Sequence, residues 1–182
     1  KNGGMLIELD ARQLELVAAF YQSGDKIGRE ELSSGVDLHE CNQRAFALPT
    51  RLVAKTFLFR TIYCDEAGGG AYAFSLDPDF SHVSNSKRWW QSKIDATIAK
   101  YCGLAKWHAR LLTTVGANGG KLSMPWGREY IFLRRQNSKG ENVWPKTQIY
   151  NWPVQGLGAE LTAIVRVSLA KRLAAMQLAA PV

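Results

Sequence analysis

Arg51-Leu-Val-Ala-Lys55-Thr-Phe-Leu-Phe59-Arg-Thr-Ile-Tyr63 is the stretch on which the reading of this chain turns. It follows Pro49-Thr50 and predicts a helix over residues 51–63. Arg51, Lys55, Phe59 and Tyr63 recur every four residues. Each step of four drifts only about 40° around an α-helix, so all four share one face. That face offers two cations and then two rings. Cations bind phosphates and rings stack on bases. One helix face can therefore hold the phosphates of a nucleoside triphosphate at one end and its base at the other. A solvated basic stripe running into core aromatics is the other reading of the same four residues.

The flanks supply further elements. Upstream, Met5 to Asp10 reads as a buried strand ending in an acid, and Arg12 to Tyr21 as a helix stopped by Ser23-Gly24-Asp25. Asp37-Leu38-His39-Glu40 opens a helical stretch that Pro49 closes. Downstream, Gly68 to Gly70 reads as a flexible loop. Ser84 is placed to cap a helix carrying Trp90, Ile94, Ile98 and Tyr101 at helical spacing, which Gly103 interrupts. Trp107, Leu111 and Val115 mark another helix, ending near Asn118-Gly119-Gly120. Lys121–Met124 and Arg128–Leu133 read as a hairpin, and Arg134–Glu141 as a polar loop. A long helix is expected after Pro153, with Leu157, Leu161, Ile164, Val165 and Leu169 on one stripe.

The 182 residues are 46% hydrophobic and 21% charged, the balance of a globular chain. No apolar run reaches the roughly 18 to 20 residues that span a bilayer, so no membrane partner is expected. The net charge of +7 is unevenly spread: residues 1–80 carry 8 Lys/Arg against 12 Asp/Glu, and residues 81–182 carry 15 against 4. A basic half of this kind points to a polyanion, nucleic acid first, or simply to a basic surface. Cys41, Cys64 and Cys102 are odd in number and form no CxxC or Cys/His cluster. Neither a disulfide framework nor a zinc site is suggested, and a reducing, cytoplasmic setting is expected.

Several residues carry potential chemistry. Asp10, at the open end of an apolar strand, is placed to hold a divalent cation, although alone it reads first as a loop acid capping the following helix. His39 can donate to a phosphate oxygen, or be an ordinary satisfied histidine. Asn151 and Gln155 carry amides that can position nucleic acid through its minor groove, although alone they read as capping chemistry.

Their order along the chain resembles family A DNA polymerases, the group of bacterial polymerase I and many phage replicases. Asp10-Ala-Arg-Gln-Leu-Glu15-Leu is similar to motif A, and Arg51-x3-Lys55-x3-Phe59-x3-Tyr63 to motif B, the fingers helix. Asp37-Leu-His39-Glu lies where that family has an Asp-x-His segment. Asn151-x-Pro-Val-Gln155-Gly156 is similar to the signature that begins a palm helix. Asp77-Pro-Asp-Phe, Ala105-Lys-Trp-His108 and Met124-Pro-Trp-Gly127-Arg128 look more like phage members than bacterial ones. The likeness covers nearly the whole chain. Arg12, Val17 and Cys64 depart from it, Cys64 standing where a Gly usually follows the motif B Tyr.

The resemblance implies a mechanism: nucleotidyl transfer from a dNTP to a primer 3′-hydroxyl, with two Mg²⁺ ions between them. It makes Asp10 one of the two metal-holding carboxylates, with help from the Ala11 carbonyl. It places Glu15 as the steric gate against a ribose 2′-hydroxyl. Arg51, Lys55 and His39 would neutralise phosphate charge, and Phe59 would lie on the sugar and base. Tyr63 would stack near the templating base, and Asn151 and Gln155 would touch the primer–template duplex. The second catalytic acid of that family sits in a His-Asp-Glu motif. No His here is followed by Asp, and no Asp or Glu follows Glu160. The expectation is that this chain alone does not polymerise, being an excerpt or one piece of a split enzyme whose partner carries that motif. A non-catalytic nucleic-acid-binding module is the alternative. The expected fold is α+β: palm over 1–34 and 141–182, with a mainly helical fingers insertion over 35–140.

Overall fold

The computed structural model describes residue 8 and residues 10–64 and 69–176. Over these the chain is α+β, mostly helical, with two small antiparallel sheets. The expected strand at 6–10 lies outside the described residues except for Glu8 and Asp10.

Helix α1 (Leu14–Ser23) ends at Gly24, whose φ of 68° is the left-handed stop that glycine adopts freely. Asp25 then starts a helix that the apolar spacing does not signal, α2 (Lys26–Ser33). Its Oδ1 accepts from the Gly28 N–H at 2.9 Å, while its Oδ2 accepts from the Leu104 N–H at 3.1 Å. One buried carboxylate thus serves two helix starts. Asp37 caps α3 (Leu38–Ala45). That helix stops at Ala45, before Pro49, because residues 46–48 turn back: Ala47 has φ 49°, and the Leu48 N–H donates to the Gln43 carbonyl at 2.9 Å.

Helix α4 (Arg51–Tyr63) has the expected bounds, with the Thr50 hydroxyl accepting from the Val53 N–H. Cys64, its C-cap, has φ −91°, so this position makes no demand for glycine. Gly70, extended, is the N-cap of α5 (Ala71–Leu76); of the loop expected over Gly68 to Gly70, Gly68 lies outside the described residues. A single 3₁₀ turn follows at Pro78–Phe80. The cap of α6 (Lys87–Lys100) is Ser86 rather than Ser84, whose carbonyl instead accepts the Trp90 indole N–H at 2.8 Å. Trp90 and Ile94 face inward as expected, but Ile98 is 48% exposed and Thr97 is buried in its place. The break before α7 (Cys102–Ala117) falls at Tyr101, not Gly103.

Strands β1 (Lys121–Ser123) and β2 (Glu129–Ile131) pair in the expected hairpin, with Leu122 opposite Tyr130. The expected polar loop instead holds a second hairpin, β3 (Arg135–Gln136) with β4 (Asn142–Val143). The last helix, α8 (Lys146–Ala175), begins seven residues before Pro153 and contains it. Pro153 lacks an N–H for the preceding turn, and its own carbonyl accepts from the Gln22 side chain at 3.1 Å. Gly156 is required by close approach: a Cβ there would lie 1.9 Å from the Tyr130 hydroxyl. The apolar stripe expected on α8 is only partly used. Leu157 is half-buried against the core, whereas Ile164 and Val165 are 61% and 58% exposed.

Two apolar clusters hold the fold, and α4 belongs to both. On one side Leu58, Ile62 and Tyr63 join Phe20, Leu104, Trp107, Phe132, Ile149 and Val154. On the other Val53, Ala54 and Phe57 join Phe74, Phe80 and Trp90 in a ring cluster, with Phe74 and Trp90 stacked at 4.8 Å. Burying a side chain of this size contributes roughly 1.5–3 kcal/mol. Packed on both flanks, α4 is fixed in rotation, and its remaining face is the one that carries Arg51, Lys55 and Phe59. Among the described residues no helix is long and apolar enough to cross a membrane.

Candidate nucleotide pocket

The α4 face borders a cavity of about 360 Å³, within the range of small-molecule sites. Residues 10–15 form one wall. His39, Arg51, Lys55 and Phe59 form the other. The chain therefore folds Asp10, Ala11, Glu15, His39, Arg51, Lys55 and Phe59 around one space, although they come from three separated segments.

Arg51 is held, not loose. Its Nε and Nη2 donate to Asp37 Oδ2 at 3.0 and 2.7 Å, while Asp37 Oδ1 caps α3 through the His39 and Glu40 N–H groups. Burial alone would raise the Asp37 pKa. The Arg51 bonds and the two backbone bonds outweigh it and hold the carboxyl below its usual range. Three N–H groups of Arg51 remain for another acceptor. Lys55 is exposed and makes no ion pair among the described residues. The cationic end of α4 thus offers a clamped guanidinium and an open ammonium.

His39 is buried. Burial lowers its pKa, Asp37 opposes this, and Arg51 and Lys55 add to the lowering, so the ring is neutral at pH 7. Its Nδ1 is buried without a hydrogen-bond partner. The ring lies 5.8 Å from that of Phe59, and Phe59 in turn stacks on Tyr63 at 5.7 Å and 26°. Tyr63 is buried beneath the pocket, where its hydroxyl donates to the Glu15 carbonyl at 3.4 Å. Burial first, and the Glu15 charge second, push its phenol far above the usual range. The Glu15 carboxylate accepts from the Gln155 amide, so α1, α4 and α8 meet at Glu15.

Tyr63 and Gln155 thus reach the site through Glu15 rather than by lining it. Asn151 does not line the cavity, and its buried Oδ1 has no partner. Three contributors are not singled out as site residues by the sequence. Arg12 and Gln13 lie in the wall, and Gln13 enters α1 in the left-handed region at φ 55°. Asp37 belongs to the Asp-x-His segment, but nothing in the sequence pairs it with Arg51. Only its position two before His39, as a helix cap, is legible.

The described donors do not by themselves make a two-metal centre. Among the described residues no group of three or more His, Cys, Asp and Glu is close enough to hold a metal ion. Asp10 and Ala11 are exposed, Glu15 is engaged by Gln155, and Asp37 is engaged by Arg51. No protein-family model matches this chain, and no curated protein matches it either.

Proposed function

We propose that the cavity binds a deoxynucleoside triphosphate, and that the chain is the palm-and-fingers part of a phage-type family A DNA polymerase. The observation that carries this reading is the convergence of residues 10–15, His39 and the Arg51/Lys55/Phe59 face on one cavity. Lys55 and the free edge of Arg51 neutralise phosphate charge, where preorganised cations act most strongly. Neutral His39 supplies hydrogen bonding rather than charge at pH 7. Phe59, backed by Tyr63, presents a ring to the sugar and base. Glu15, pinned by Gln155, forms a fixed wall beside them.

Asp10 and the Ala11 carbonyl would hold Mg²⁺ only together with a second carboxylate from a partner segment or chain. The test is primer extension on a primer–template with dNTPs and Mg²⁺, with and without a segment carrying a His-Asp-Glu motif. Extension only in the combined reaction, abolished by Asp10→Ala, is expected. Full-rate extension with Asp10→Ala overturns the assignment of Asp10.

One observation favours a second reading, a non-catalytic nucleic-acid-binding module: the excess of 15 Lys/Arg over 4 Asp/Glu in residues 81–182. That reading gives salt-dependent DNA binding with no dNTP binding.

A further inference from the structure

The cations of residues 134–146 are not absorbed by the pocket. This stretch holds Arg134, Arg135, Lys139 and Lys146 against a single acid, Glu141. All four are exposed, and none makes an ion pair among the described residues.

Their backbone is well fixed. The β3–β4 hairpin sets Arg135 opposite Val143, and its turn is tied by Asn137. Asn137 Oδ1 accepts from the Lys139 and Glu141 N–H groups, each at 2.9 Å. Its Nδ2 donates to the Glu141 carboxylate at 2.8 Å, which draws the one local acid away from Lys139. Arg134 lies over the Trp144 ring at 4.7 Å, and Trp144 packs against Gly120, between α7 and β1. Lys146 is the first residue of α8, whose N-cap, Pro145, supplies no side-chain cap. The positive end of that helix adds to the potential of the four side chains.

We propose that the β3–β4 hairpin and the start of α8 form a phosphodiester-binding surface that holds the backbone of DNA, separately from the nucleotide pocket. The proposal rests on the polymerase reading for the identity of the polyanion. Arg135 and Lys139 lie in the hairpin, Arg134 directly before it and Lys146 directly after Pro145, so the four exposed cations are distributed along one stretch of chain rather than gathered at a point. The ring in the patch is occupied by Arg134, so the surface meets phosphates and does not read bases. Binding here is insensitive to sequence and strongly dependent on salt.

The experiment is fluorescence anisotropy of an arbitrary 20-base-pair duplex against salt, for wild type, R135A/K139A and the charge-matched control R166A/K171A. Removing one phosphate-bound cation lowers the log–log salt slope by about 1. R135A/K139A should therefore reduce the slope by about 2 and weaken binding on the order of tenfold or more at low salt. Its melting temperature and dNTP affinity should not change, and the control should bind nearly as wild type. An equal loss in the control overturns the proposal, because the effect is then net charge alone. Unchanged binding by R135A/K139A also overturns it. So does equal wild-type affinity for phosphatidylserine/phosphatidylcholine vesicles, which the exposed Ile131 and Leu133 nearby could serve. Wild type that binds dNTP but not duplex sinks this surface alone, and binding of duplex but not dNTP sinks only the pocket.

Discussion

Helix α4 carries an arginine near each end, and each is paired with an aspartate that also caps a helical turn. At one end, Asp37 caps α3 with Oδ1 and holds Arg51 with Oδ2. At the other, Asp77 caps the 3₁₀ turn with Oδ1 and holds Arg60 with Oδ2. The chemistry is the same and the surroundings are not. Arg60 lies over the rings of Phe74 and Phe80 at 4.5 and 5.3 Å, and the pair is 23% and 22% exposed. The Arg51 side chain is 50% exposed and borders the cavity beside Lys55. One pair joins elements of the framework. The other presents a cation to a space that can hold an anion.

Removing each arginine should separate the two roles most sharply. Arg60→Ala strips a partly buried ion pair and two cation–π contacts, and should destabilise by on the order of 2 kcal/mol. Arg51→Ala removes a half-exposed pair and should cost less than about 1 kcal/mol. Urea midpoints measured side by side check this, and equal losses would erase the distinction. Nucleotide affinity should run the other way. Arg51→Ala is expected to weaken dNTP binding about tenfold, while Arg60→Ala, assayed below its melting temperature, leaves it within about twofold.

Acid should reveal the framework pair. The Arg60 bond is the main cause holding the Asp77 pKa below its usual range, against a smaller opposing effect of burial. A carboxylate whose pKa is lowered on folding contributes stability that is full above the unfolded value, near pH 4, and is lost as pH falls through the folded one. The acid limb of the stability curve should therefore flatten in Asp77→Asn. It should flatten less in Asp37→Asn, where burial opposes the Arg51 bond more strongly. The smallest effect concerns His39. It is neutral at pH 7 and gains a proton only below its ordinary range near pH 6.5. As pH falls below 7 the triphosphate loses charge and binds both proteins less well; wild-type affinity should fall less steeply than that of His39→Gln, because protonation of His39 adds a cation to the site.

The pocket is more legible in sequence than the fold around it. Four-residue spacing alone places Arg51, Lys55, Phe59 and Tyr63 on one face, because α4 is a regular helix with a Thr cap and no competing turn chemistry. Longer-range features leave no such trace. Pro153 reads as a helix start by local rules, yet α8 runs through it, secured by the Gln22 bond and by packing of Ile149 and Val154. The start of α7 depends on Asp25 reaching the Leu104 N–H, and the Arg51 clamp on an aspartate fourteen residues away. The distal α8 stripe has helical spacing, but spacing cannot say which neighbour covers it, and from Thr162 onward no described residue of the helix is buried.

The most direct test of the pocket is a calorimetric titration of wild type and Lys55→Ala with a dNTP and with the matching deoxynucleoside. Lys55 is exposed and makes no ion pair among the described residues, so its removal should leave the melting temperature unchanged. Wild type should bind the triphosphate and not the nucleoside, and Lys55→Ala should weaken triphosphate binding about tenfold or more. Equal binding of nucleoside and triphosphate, or a Lys55→Ala protein that binds dNTP as wild type does, would contradict the assignment of the pocket.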